Sequence, residues 1–172
     1  MKLDIVAYPD PRLTRTCEAV AAVNDEIRTL VADMFETMYA LRGVGLAAPQ
    51  VGRPLRLLVM DTAMQDEAPS PRVVINPQLE LFGREIVSER EGCLSIPLEF
   101  RADVVRREEA RLAATDLAGN SFELELSGFP AIVAQHEFDH LNGVLFIDHI
   151  SRLRRTLYDK RLKKWLNRSN TA

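Results

Sequence analysis

Two histidines four residues apart, with a glutamate directly after the first, stand in the stretch QHEFDHLNGVLF from Gln135 to Phe146. On a helix, residues i and i+4 share a face with Cβ atoms about 5–6 Å apart, close enough for two imidazoles to share one metal ion. His136 and His140 are therefore candidate ligands, and Glu137 is a candidate acid–base residue. Two ligands leave the coordination incomplete. Metalloproteases that continue the pattern as H-E-x-x-H-x-x-G-x-x-H take a third histidine, and this chain follows that spelling through Gly143 but then has Phe146, whose ring cannot bind a metal. No glutamate follows Glu137, and the later acidic residues are Asp139, Asp148 and Asp159. The third ligand is expected upstream.

The upstream candidate is EGCLSIP, Glu91 to Pro97, where Gly92 lets the backbone turn sharply before Cys93. A lone cysteine beside a leucine is most often packed core. A thiolate is nevertheless one of the few side chains that can complete a site begun by two histidines, which makes Cys93 the best candidate. The rival role, a cysteine nucleophile with a histidine base, leaves only His149 outside the ligand spacing. Glu91 and Asp139 either orient ligands through hydrogen bonds or form ion pairs with arginines.

These residues need elements to hold them. Pro130 suits the first turn of a helix and Gly143 a left-handed cap at its end. Between them Ile132, Val133, His136 and His140 fall near one stripe, so the histidines point toward the core. Asn24 reads as the N-cap of a helix running to about Leu41, with Ile27, Leu30, Val31, Met34, Phe35 and Met38 at helical spacing and Gly43 as its stop. Extended runs follow at Leu55–Met60, Arg72–Asn76 and Leu79–Phe82, with a polar loop between the first two, and Arg111–Leu126 reads as a hairpin around Gly119 and Asn120. The stretch LEFRADVVRR after Pro97 carries no clear period. The expected class is α+β, mostly antiparallel strands packed around a central metal-binding helix, with a C-terminal amphipathic helix.

At 172 residues, 47% hydrophobic and 27% charged, the composition fits one soluble domain spanning residues 1–172. Pro9 and Pro11 interrupt the start, no apolar run is long enough to cross a bilayer, and a cytoplasmic location is expected. The two cysteines then read as free thiols, Cys17 a structural one. Residues 151–172 hold eight Lys or Arg against one Asp, a local +7 that leaves −10 for the remainder of a chain whose net charge is −3. Leu153, Leu157, Tyr158, Leu162, Trp165 and Leu166 mark the apolar face of this basic helix, whose other face meets water or a polyanion.

Three separated stretches, GVGLAAPQ (Gly43 to Gln50), EGCLSIP and QHEFDHLNG, occur in this order in a chain of this length. In them, and over essentially its whole length, the sequence resembles the bacterial-type peptide deformylases. The resemblance implies a hydrolase that removes the formyl group from the N-terminal formylmethionine of nascent polypeptides and releases formate. It assigns Cys93, His136 and His140 as metal ligands and Glu137 as the catalytic carboxylate. The Gln50 side chain and the Leu94 backbone N–H become stabilisers of the oxyanion, and Gly45 a contact to the peptide backbone. It implies Fe(II), with zinc, nickel or cobalt able to occupy the same ligands, and it implies that the basic tail docks on the ribosome near the exit tunnel.

The residues suit those roles. Three protein ligands leave a position for water, whose pKa a divalent ion lowers to about 7 in well-known zinc sites. Glycines at 43 and 45 allow an extended peptide to pair with the backbone irrespective of its side chains. Val44, Ile132 and Val133 are candidates for an apolar pocket for methionine, or are ordinary core. Arg101 is a further candidate peptide contact. A zinc endopeptidase and a catalytically silent ribosome-associated paralogue are the alternatives. Phe146 weighs against the first, and the presence of Glu137 and Gln50 against the second.

Overall fold

The computed structural model describes residues 1–63 and 67–169. Part of the expected loop (64–66) and the end of the basic tail (170–172) lie outside the described residues. Among those described, three helices, α1 (Asp25–Ala40), α2 (Phe129–Leu141) and α3 (Arg152–Ser169), accompany five strands: β1 (Gly45–Ala47), β2 (Leu57–Met60), β3 (Arg72–Glu91), β4 (Ala102–Thr115) and β5 (Ser121–Ser127). The strands form one antiparallel sheet in the order β1-β2-β3-β4-β5, which bears out the α+β expectation. No helix among the described residues is long and apolar enough to cross a membrane.

α1 begins as its cap dictates: the Asn24 side chain accepts from the Ile27 N–H at 3.0 Å. Its buried residues include Ile27, Leu30, Val31, Met34 and Met38, while Phe35 is half-buried against Tyr39. The stop differs from expectation, since Arg42 (φ 56°) takes the left-handed position and Gly43 follows it, donating to Met38 O at 2.8 Å.

The runs at Arg72–Asn76 and Leu79–Phe82 are not separate strands but parts of β3, a single strand of 20 residues. Its register against β4 shifts between Ile75 and Gln78, between Phe82 and Glu85, and between Ser88 and Glu91. Each shift holds a left-handed residue: Asn76 (φ 52°), Gly83 (φ 73°) and Arg90 (φ 51°). These are bulges, in which an extra residue is absorbed and the strand bends without ending. The bulge at Arg90 has a consequence for the site. Ser88 faces inward, and strict alternation would turn Arg90 inward next; the extra residue turns Glu91 inward instead, where it is buried.

The patternless LEFRADVVRR stretch contains the start of β4, whose Ala102, Val104 and Arg106 are all buried. Arg106 is a charged residue on an inward position, and it hides the alternation from a reading of hydrophobicity. The hairpin around Gly119 is as expected, with Gly119 left-handed (φ 85°) and Asp116 accepting from the Asn120 N–H at 2.9 Å.

α2 packs against β1, β2, β4 and β5 and is buried on most sides, so its apolar residues are not confined to one stripe. α3 docks along a narrower line than expected. Tyr158 and Leu162 are buried and Leu166 half-buried against Phe100 and Phe146, whereas Leu153 (70% exposed), Leu157 (57%) and Trp165 (45%) stay on the surface. Contact with a single aromatic cluster reaches only positions four residues apart.

Candidate metal centre

Cys93, His136 and His140 meet, although two strands, β4 and β5, separate the cysteine from the first histidine in sequence. One ligand atom from each lies within 4.8 Å of the other two, and Cys93 Sγ is 3.3 Å from His140 Nε2. A tetrahedral ion with bonds of about 2.0–2.3 Å needs ligand atoms roughly 3.3–3.8 Å apart, a spacing the Cys93–His140 pair already has, and the thiolate and two imidazoles are donors that suit such an ion. His136 Nδ1 donates to Glu91 Oε1 at 2.7 Å, which fixes the tautomer and leaves Nε2 for the metal. Burial and the neighbouring His136 hold His140 well below the usual imidazole range, keeping it neutral. Phe146, in the place of the missing third histidine, stacks behind His136 with centroids 6.1 Å apart. It buttresses the ligand ring.

Glu91 is itself held by a residue the sequence reading missed. The buried Arg106 grips it with two hydrogen bonds, Nε to Oε2 at 3.2 Å and NH2 to Oε1 at 2.5 Å. Burial alone would raise the Glu91 pKa; hydrogen bonds from His136 and Arg106 outweigh it and bring the carboxyl down to about 2. Both readings of Glu91, ligand orienter and ion-pair partner, therefore hold. Asp139 is an ion-pair partner, accepting from Arg106 NH1 at 2.6 Å and from His149 Nε2 at 2.8 Å.

Glu137 is 4% exposed, and its Oε2 has no hydrogen-bond partner among the described residues. Burial raises its pKa to about 7. A carboxyl group poised near neutrality and lacking a partner can both take and give a proton. The Gly45 position explains its placement: a Cβ there would lie 2.5 Å from Glu137 Oε1. The glycine, itself buried in β1, therefore makes room for the carboxylate.

Gln50 is 1% exposed and its amide is locked. Oε1 accepts from the Ala47 N–H at 2.8 Å, so Nε2 points to Cys93 Sγ at 3.4 Å and to Ser95 Oγ at 3.2 Å. Leu94 follows Cys93 in a turn closed by Ile96 N–H donating to Cys93 O at 3.1 Å. Gln135 clips α2 to β4 by accepting from Arg107 N–H at 2.9 Å and donating to Arg107 O at 2.8 Å. Of the pocket candidates, Val133 is buried between α2 and the sheet, Ile132 is half-buried and Val44 is 40% exposed. The exposed Arg101 donates to Arg90 O at 3.3 Å.

The family model for polypeptide deformylase matches residues 2–156 of the chain. The chain belongs to the peptide deformylase family. A peptide deformylase of Azotobacter vinelandii is 46% identical over 162 residues, covering 94% of this chain and 95% of that one. The crystal structure of a peptide deformylase from Legionella pneumophila superposes with a TM-score of 0.89 at 38% identity, covering 100% of this chain and 99% of its own. That of the Ehrlichia chaffeensis peptide deformylase gives 0.91 at 36% identity, with 100% of both chains covered. The protein is accordingly a deformylase, a metal-dependent hydrolase that removes the N-formyl group of nascent peptides.

Proposed function

We propose that Cys93, His136 and His140 bind one divalent ion, Fe(II) in the cell, and that Glu137, Gln50 and the Leu94 N–H carry out the hydrolysis around it. The carrying observation is the convergence of three metal-ligating atoms within 4.8 Å in a chain that also buries an unpartnered Glu137 oxygen against Gly45. When bound, the metal polarises the formyl carbonyl and lowers the pKa of water, so that the nucleophile is available near neutrality. Glu137 accepts the proton of that water and delivers it to the departing amine, which cannot leave as a bare anion. The carbonyl oxygen becomes negative as the tetrahedral intermediate forms, and Gln50 Nε2 and the Leu94 N–H donate to it. Gln50 is pre-organised for this by its bond from Ala47, so it needs no reorientation during the reaction.

β1 lies at one edge of the sheet, and its backbone offers the incoming peptide an added-strand partner at Gly45. Val44, Ile132 and Val133 would line the pocket for the methionine side chain. Zinc, nickel and cobalt suit the same donors, and zinc binds nitrogen and sulfur more tightly than iron, so iron use depends on supply. The basic face of α3 favours docking on rRNA phosphates near the exit tunnel, in the cytoplasm.

The test is formate release from formyl-Met-Ala-Ser with metal analysis alongside. Glu137→Ala is expected to keep its metal and lose about 10²–10⁴-fold in kcat. Cys93→Ala is expected to lose both metal and turnover; a metal-replete, active Cys93→Ala enzyme would overturn the ligand assignment.

A further inference from the structure

The contacts that hold Glu91 do not stop at Arg106. The guanidinium spends Nε and NH2 on the two oxygens of Glu91 and NH1 on Asp139 Oδ2. That same Asp139 oxygen also accepts from His149 Nε2 at 2.8 Å. A line of direct hydrogen bonds therefore runs from the ligand His136 through Glu91, Arg106 and Asp139 to His149. Its members come from β3, β4, α2 and the turn before α3. The inner end is buried, with Arg106 5% and Glu91 9% exposed. The outer end is open, because Asp139 and His149 help line a cleft of about 200 Å³ with Leu79, Val105 and Phe138, on a different face of α2 from the ligands.

We propose that His149 is a positioning residue for the metal centre, acting through Asp139 and Arg106 on the orientation of Glu91 and His136. A guanidinium can hold a carboxylate with two parallel bonds only in one plane, and the third contact of Arg106, to Asp139, selects that plane. Asp139 is partly exposed, and a carboxylate at the surface turns readily toward water unless a second donor fixes it. His149 is that donor. Without it the guanidinium and then Glu91 gain freedom, and part of the ordering of His136 must be supplied when the metal binds.

The inference rests on Cys93, His136 and His140 being the ligands, and the test separates the two claims. Co(II) affinity is measured by chelator competition, and the cobalt absorption spectrum is recorded, for the wild type, His149→Phe, His149→Gln and Cys93→Ala. The melting temperature of each metal-free protein is measured beside them. His149→Phe is expected to weaken Co(II) about threefold to tenfold, less than the roughly 10–100-fold typical of a ligand's direct partner, and to change the cobalt bands. Its metal-free melting temperature should barely move, because a surface pair contributes little to folding. His149→Gln keeps a donor near the Nε2 position and is expected to restore affinity to within about twofold of wild type. Co(II) binding by His149→Phe equal to wild type, or a failure of His149→Gln to restore it, would overturn the positioning role while leaving the ligands in place. Unchanged binding by Cys93→Ala would overturn both.

Discussion

At the scale of single residues, the centre depends on atoms that are absent as much as on those present. Gly45 has no Cβ, and one added there would press on the Glu137 carboxylate, 2.5 Å from Oε1 and 2.8 Å from its carbon. Gly45→Ala should displace the Glu137 carboxylate, the general base we propose, while leaving Cys93, His136 and His140 in place. We expect a loss of about 10²-fold in kcat with metal content unchanged, since displacements near 1 Å can have that effect. The two thiols make a second contrast. Burial pushes the Cys17 thiol up to about 11 and leaves it 6% exposed, so at pH 8 it is protonated and shielded. Iodoacetamide applied to the metal-free protein at pH 8 should therefore alkylate Cys93 and spare Cys17, as peptide mass mapping would report. That Cys93, His136 and His140 come together was legible in the sequence, because their types and the histidine spacing suit metal chemistry, with Glu137 beside the first histidine; Gln50 was singled out only by the family resemblance. Arg106 was not. It matters through a carboxylate 15 positions away, and that pairing exists only once two strands are in register.

At the scale of elements, β3 shows why the sheet was harder to read than the helices. Asn76 and Pro77 look like a strand end, since proline cannot donate to a ladder and asparagine favours turns. In the fold Asn76 replaces the missing ladder contacts itself: its side chain accepts from Val20 N–H at 2.8 Å and donates to Val20 O at 2.9 Å. Asn76→Ala should then cost about 1–3 kcal/mol of stability, seen as a lower melting temperature, with kcat/KM for a formylated tripeptide unchanged. The helices were legible because a cap and a 3.6-residue period are local signals, whereas a bulge is decided by the partner strand. The same reasoning accounts for β4, where an inward arginine masked the alternation.

At the scale of the whole molecule, α3 is part of the core and, in the function we propose, also a surface for docking. Tyr158 and Leu162 are each 2% exposed, and the ring of Tyr158 lies 4.4 Å from that of Phe100, which in turn stacks on Phe146 behind His136. Removing everything after Ser151 would expose this cluster and lower stability, so truncation cannot isolate a docking role. Charge reversal can. Replacing the exposed Lys160, Lys163 and Lys164 by Glu should weaken co-sedimentation with ribosomes and flatten its salt dependence, while formyl-Met-Ala-Ser is hydrolysed as before. Unaltered co-sedimentation would remove the docking role. Under the strand addition we propose, the brevity of β1 also sets a ruler for the nascent chain. An edge of three residues spans only about 10 Å, so KM should improve as the formylated peptide grows to roughly that reach and then level off. An enzyme that samples so little of its client has no stake in what the rest is doing, and can finish its task while the remainder of the polypeptide is still being made.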